Sequence, residues 1–291
     1  MQIAQLILAG LAQGCVYSLV ALSFVLIYKG TETISFAQGE FMMLGAFCCL
    51  VLLTSVGLPY AVAALLSVVA LGALGILVER TVVRPILGQP AFSIIMLTIG
   101  LGYVARALIT MIPGWGTDTH ALPTPYKGQM LAFGGLSLGA EQAVAVATTG
   151  ALCIALYLMF RFSKIGIAMQ AVSQNQLAAY YMGIPVKQLN GLVWGLAAAV
   201  AAIAGLLLAP MSFVHANMGF IGLKAFPAAV IGGFGSLPGA IVGGLIIGVV
   251  ESLSGFYLPI GIKDISAYVV VLLMLMFKPN GLFGENLRKK V

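Results

Sequence analysis

Apolar runs of roughly 20 residues recur along the whole of this 291-residue chain, separated by short polar or glycine-rich intervals. A helical run of that length crosses the ~30 Å hydrocarbon core of a bilayer, whereas a barrel strand needs only about 10 residues of alternating character. Charge agrees with the helical reading. Only 8% of residues are Asp, Glu, Lys or Arg, against about 25% in a soluble domain. The chain is therefore expected to be an all-α polytopic membrane protein embedded in the lipid bilayer. It forms a single transmembrane domain over residues 1–291, with no room for a separate soluble or enzymatic domain.

Runs at 3–28, 36–56, 59–80, 91–112, 142–160 and 191–211, an interrupted segment at 222–253 and a last run at 265–277 make about eight hydrophobic helical segments. The opening MQIAQLILAGLAQG lacks a basic n-region and reads as a retained first span, not a cleaved signal peptide. Cys15, Cys48, Cys49 and Cys153 all fall inside apolar runs, where a thiol behaves as a small hydrophobe. Neither a disulfide frame nor a metal site is indicated, and no cofactor.

The net charge of +6 would suggest nucleic acid in a soluble protein. Here the basic residues sit at the ends of runs, which points to topology and headgroup contact, with no nucleic acid partner. If interval 161–190 and the tail are cytoplasmic, ten basic residues lie inside: Lys29, Arg80, Arg84, Arg161, Lys164, Lys187, Lys278, Arg288, Lys289 and Lys290. Three lie outside (Lys127, Lys224, Lys263), and Arg106 falls within a run. The positive-inside rule then sets the C-terminus in the cytoplasm and the N-terminus outside. Loop 113–141 is outer, and segment 222–253 must begin and end on the outer side. It either dips and returns or crosses twice.

Four polar features interrupt the apolar pattern. Interval 161–190 has helical periodicity, with Ile165, Ala168, Met169, Val172 and Ala179 on one side and Ser163, Gln170 and Gln174 on the other, Gln176 excepted. Gly183 and Pro185 stop the helix. It rests on headgroups or holds a cytoplasmic partner. The second feature, Gly232-Gly233-Phe234-Gly235-Ser236-Leu237-Pro238-Gly239, cannot be regular helix. Ser236 can cap a second helix there. Broken backbone at membrane depth is tolerated where it is buried in protein or lines a wet cavity, while Gly239/Gly243 and Gly244/Gly248 have helix-packing spacing.

The third feature is the interval from Lys29 to Glu40. Ser35 and Gln38 fit a capping box opening the second run, and Glu40 then lies where the helix dipole favours a carboxylate. Alternatively Gln38 and Glu40 face a polar gate. The fourth is a pair of boundary charges: Glu79-Arg80 with Arg84-Pro85 reads as a salt-bridged inner boundary. Arg106 is expected to snorkel outward, or else to pair with a carboxylate. Catalysis is poorly supported. His120 and His215 lack an adjacent nucleophile, a metal-ligand spacing or an orienting partner.

Several of these stretches resemble ABC-importer permeases of the branched-chain amino acid, LivH type. Members carry Asn-Phe-Ala-His-Gly-Glu where this chain has Ser35-Phe36-Ala37-Gln38-Gly39-Glu40. They share the Glu-Arg…Arg-Pro boundary, the Lys-Ala-Phe…Gly-Gly-x-Gly-Ser-x-Pro-Gly-Ala stretch at 224–240, Lys263-Asp264, and the Pro-x-Gly ending that closes at Gly284. The resemblance implies a type II-like importer fold in the bacterial inner membrane. It also implies a second homologous permease subunit, two cytoplasmic ATP-binding subunits and a periplasmic substrate-binding protein.

By the same resemblance, the ATPase-coupling loop uses Gly166, Ala168, Met169, Gln170, Ala171, Ala178 and Gly183, with Leu177 and Tyr181 turned away from the membrane face. The expected pathway residues are Ser35, Gln38, Glu40, Gly232, Gly233, Phe234, Gly235 and Ser236, with Lys224 at the outer mouth. Gln38 stands in place of the usual His, Gln170 in place of a common Arg, and Gln174-Asn175 in place of a common acidic pair. The loop thus keeps its shape and loses charge. Relatives import branched-chain amino acids, urea, short amides and other small acids.

Overall fold

A computed structural model describes residues 2–116, 118–133, 136–259 and 261–284. The basic cluster Arg288, Lys289 and Lys290 lies outside the described residues. The helices are α1 (Gln2–Thr31), α2 (Gln38–Thr54), α3 (Tyr60–Val78), α4 (Ala91–Thr110), α5 (Ala140–Phe162), α6 (Lys164–Gln174), α7 (Gln176–Tyr181), α8 (Val186–Ser212), α9 (Gly219–Gly232), α10 (Leu237–Tyr257) and α11 (Ile262–Phe277). Among the described residues, six helices are long and apolar enough to cross a membrane, and two shorter apolar ones lie at Gln38–Thr54 and Ala216–Gly232.

Burial separates the layers. The apolar window of α1 is 89% buried and that of α8 is 78% buried, against 28%, 22% and 22% for α3, α4 and α5. Helices α1 and α8 are thus the core, and α3, α4 and α5 form its outer wall.

Small residues let the core helices close up. Glycines 10 and 14 and Ser18 of α1 face Gly244, Gly248 and Ser252 of α10. A Cβ on Gly248 would lie 2.3 Å from the Gly14 Cα. The seam also carries hydrogen bonds between helices: Ser18 Oγ donates to the Ile241 carbonyl at 2.8 Å, and Ser252 Oγ to the Leu6 carbonyl at 2.8 Å. The second small-residue stripe, Gly239 and Gly243, meets a different neighbour. There a Cβ would sit 2.2 Å from the Gly232 oxygen and 2.1 Å from the Ala228 oxygen of α9. With no Cβ at these positions, α10 contacts α1 and α9 together.

Segment 222–253 is resolved by unequal lengths. Helix α9 has 14 residues, about 21 Å at 1.5 Å per residue, while α10 has 21, about 32 Å. A helix two-thirds as long therefore precedes one of full spanning length. They turn at Gly233, whose φ of 92° suits glycine, and Ser236 caps α10 by accepting from the Gly239 amide at 3.1 Å.

The long loop before α5 contains a hairpin, β1 (Met130–Phe133) paired antiparallel with β2 (Leu136–Gly139), which the sequence patterning does not reveal. Gln5 donates to Ser137 Oγ at 2.9 Å, so the hairpin lies at the end of the bundle where α1 begins. His120 and Val214 exchange backbone hydrogen bonds of 2.8 Å, clamping the loop to the approach to α9. At the opposite end, Gln176 Nε2 donates to the Gly30 carbonyl at 3.2 Å, and the Tyr28 and Phe234 rings lie 5.2 Å apart. This end gathers the terminus of α1, the α6–α7 pair and the α9–α10 turn.

Candidate functional site

The polar interval is a two-helix hook, not the single helix its periodicity suggests. Ser163 caps α6 by accepting from the Gly166 amide at 2.9 Å, and Asn175 breaks the run, with extended backbone, to cap α7 through the Ala178 amide at 2.9 Å. The hook ends in a Schellman motif. Gly183 at φ 82° donates to the Tyr180 carbonyl, and the Ile184 amide reaches back to Ala179.

Gly166, Met169, Val172 and Ala179 are buried, and they seat the hook on the bundle. A Cβ on Gly166 would stand 2.3 Å from the Met159 oxygen, and Gln170 Nε2 donates to the Phe160 carbonyl at 2.8 Å. Ala168 and Ala171 are half-buried, while Ala178 and Gly183 are exposed. Leu177 and Tyr181 are exposed, and so are Tyr180 and Met182, which the periodicity does not single out. Ile165, which the periodicity groups with Met169 and Val172, is exposed.

The second constellation lies at the start of α2. The capping box fails: α2 begins at Gln38 with Ala37 as its N-cap and no side-chain cap, and Ser35 Oγ has no partner. The Phe36 amide instead donates to Thr98 Oγ1 of α4 at 3.1 Å, an anchor 62 residues away in sequence. Ser35 and Gln38 are fully buried, and neither amide atom of Gln38 has a partner.

Glu40 points elsewhere, since two residues along a helix is about 200° of rotation. It forms an ion pair with Arg106 of α4. Arg106 therefore does not snorkel: its guanidinium carbon lies 3.8 Å from the Phe220 ring centroid and 5.7 Å from that of Tyr103. Residues Phe36, Glu40, Ile99, Gly102, Tyr103, Arg106, Gly219, Phe220 and Leu223 line a cavity of about 290 Å³. Periodicity missed Phe220 and Gly219. The close spacing of a short apolar helix to the α2 start was not readable from it.

A third cluster joins α1, α9, α10 and α11. Tyr17 Oη donates to Glu251 Oε2, and Lys224 Nζ reaches Glu251 Oε1 at 3.4 Å and Asp264 Oδ1 at 2.5 Å. Lys224 is thus held between two carboxylates. The glycines of the backbone break pack closely: Gly232 lies against Gly239, and Gly233 against Asn280 and Gly284. Phe234 is half-buried between Tyr28 and Phe226, Gly235 is exposed, and Ser236 is the cap. The structure therefore keeps the Glu40 group and the 232–236 turn apart, at opposite ends of α9. The inner boundary pair is Glu79 with Arg84, at 2.7 Å, and not with Arg80. Among the described residues, no group of three or more His, Cys, Asp or Glu could hold a metal ion.

Six helices long and apolar enough to cross a membrane, small-residue seams between them, a shorter apolar helix and an exposed hook at one end fit a multi-span membrane permease. Residues 6–278 match the family model of the branched-chain amino acid transport system permease component, and the chain belongs to this family. It is 30% identical to the high-affinity branched-chain amino acid transport system permease protein LivH of Salmonella typhimurium, over 97% of this chain and 96% of that protein. It is 29% identical to the permease protein BraD of Pseudomonas aeruginosa, over 99% and 97% respectively. In fold it is similar to PsaBC from Streptococcus pneumoniae in complex with Fab, with a TM-score of 0.51 and 16% identity over 94% of this chain and 92% of that chain. The chain is thus a permease subunit of an ABC transporter and not itself catalytic. Membership implies ATPase and binding-protein partners.

Proposed function

We propose that this chain forms half of the inner-membrane pathway of an ATP-driven importer of branched-chain amino acids or related small polar solutes. A second homologous permease completes the pathway, two ATP-binding subunits dock on the α6–α7 hook, and a soluble binding protein delivers solute at the hairpin end. The hook end faces the cytoplasm and the N-terminus lies outside, in keeping with the basic residues of the sequence. The pathway runs past Ser35–Glu40 and 232–236, with Lys224 toward its outer side. ATP hydrolysis in the partners moves the hook and biases the bundle between outward and inward access.

The observation that carries this reading is the hook itself. Its buried side is fixed to α5 through Gly166, while Leu177, Tyr180, Tyr181 and Met182 form an exposed apolar knob. Such a knob is what a soluble partner covers. Paired charges within the membrane would also suit an ion-coupled secondary transporter. The full-length family match favours the ABC assignment. Site-specific crosslinking tests it: a Tyr181→Cys permease co-expressed with its ATP-binding subunits should crosslink to them. A crosslink absent there but formed to lipid alone would overturn the docking role.

A further inference from the structure

Helix α9 ends with Ile231 and Gly232 buried, and the last carbonyls of a helix find no partner within it. The far end of the chain supplies the donors. Beyond α11 the backbone folds back. The Leu282 amide donates to the Ile231 carbonyl at 2.8 Å, and the Phe283 amide to the Gly232 carbonyl at 3.2 Å. Glycines permit the approach: Gly281 has φ 80°, and a Cβ on it would lie 2.7 Å from the Gly233 Cα. Within this strap, Lys278 Nζ donates to the Leu282 carbonyl at 2.9 Å and holds the bend.

The strap meets α9 through backbone bonds and glycine contacts, with Leu282 half-buried and Phe283 exposed. Amides that leave such a seat at the end of the bundle exchange one partner for water, so the net loss is far smaller than the bonds' own strength. The turn beneath the strap also connects to the hook. Phe234 packs on Tyr28, and the same end of α1 offers the Gly30 carbonyl to Gln176 of α7. Hook, α1 terminus, turn and strap form one contiguous series of contacts.

We propose that residues 278–284 are a latch on the inner end of α9. It is closed while the Leu282 and Phe283 amides cap the helix. Movement of the hook, carried through Gly30 and Tyr28 to Phe234, swings the 233–236 turn and opens it. This rests on the importer reading above, in which ATP-binding subunits move the hook, and it names the element that this motion releases.

Hydrogen exchange read by mass spectrometry tests the latch on the assembled transporter in nanodiscs. The resting complex is compared with the complex trapped by ATP and vanadate. Peptides covering 280–284 should exchange about 10-fold faster when trapped, while those of the α1–α10 seam keep their rate. Tyr28→Ala should leave 280–284 slow in both states, since the ring contact with Phe234 is gone. Gly281→Val should make it fast in both, because the side chain collides with Gly233, and thermal denaturation checks that this variant is folded. Equal exchange of 280–284 in the two states of the unaltered complex overturns the latch, as does release that survives Tyr28→Ala. ATP-driven leucine uptake is measured in parallel. Uptake without strap release overturns the latch and leaves the importer reading standing. Release without uptake upholds the latch and removes the importer reading.

Discussion

Glu79 and Arg84 meet because the helix that carries them changes its winding between the two. Residues Glu79–Val83 form a π turn, so the Arg84 amide bonds to the Glu79 carbonyl, and the side chains pair at 2.7 Å along the same line. In an α-helix a five-residue spacing would place them about 140° apart. Arg84 also donates to the Lys187 carbonyl at 2.9 Å, tying α3 to the start of α8 beside the hook.

Glu79 has no exposed side-chain surface, while Arg84 keeps 30%. Arg84→Met therefore strands a buried carboxylate and should cost at or below about 3 kcal/mol, the low end for a broken buried pair because Arg84 is partly solvated. The double variant Glu79→Leu with Arg84→Met should recover most of that loss. Thermal denaturation of the purified protein in detergent checks both, and a double variant no more stable than the single one would deny the pairing.

The α1–α10 seam offers a sharper packing test. Gly248→Val places side-chain atoms where the Gly14 backbone stands, and overpacking of this kind costs about 1–3 kcal/mol or more. Gly235→Ala is its control, since a Cβ there meets nothing within 4 Å. The melting temperature should fall for the first and hold for the second.

Ser236→Ala removes a cap and nothing else. A loss of about 1 kcal/mol is expected, with transport retained. Abolished transport in a folded variant would mean Ser236 does more than hold the first turn of α10.

The exposed knob of the hook, which we propose as the docking surface, is apolar at Leu177, Tyr180, Tyr181 and Met182. Association with ATP-binding subunits should accordingly change little between 0.1 and 1 M salt, although the Debye length falls from about 10 to about 3 Å over that range. Leu177→Ala with Tyr181→Ala should weaken co-purification, and Gly166→Val should unseat the hook and uncouple it. A steep loss of complex in high salt would contradict the apolar account.

How much of this was legible follows from the reach of each interaction. The Ser236 cap and the Gly183 stop depend on neighbours within a few residues, and the sequence pattern carries them; the Gly244/Gly248 spacing is equally readable, although its partners on α1 are not. The capping box at Ser35 failed because Thr98, far along the chain, takes the Phe36 amide and delays the helix. Arg106 snorkels only if no acid lies nearby, and its partner Glu40 is 66 residues away. Glu79 selected Arg84 over Arg80 through a change of helix type that periodicity at 3.6 residues per turn does not register. The hook broke at Asn175 because its side chain caps α7, a local competence that the helical pattern around it concealed.

The most direct measurement is uptake of labelled leucine into proteoliposomes holding this chain, a second permease and two ATP-binding subunits, with binding protein supplied at one face. Uptake should require ATP and binding protein together, and should stop when the ATP-binding subunits are left out. Uptake that continues without ATP or without those subunits would contradict an ATP-driven importer.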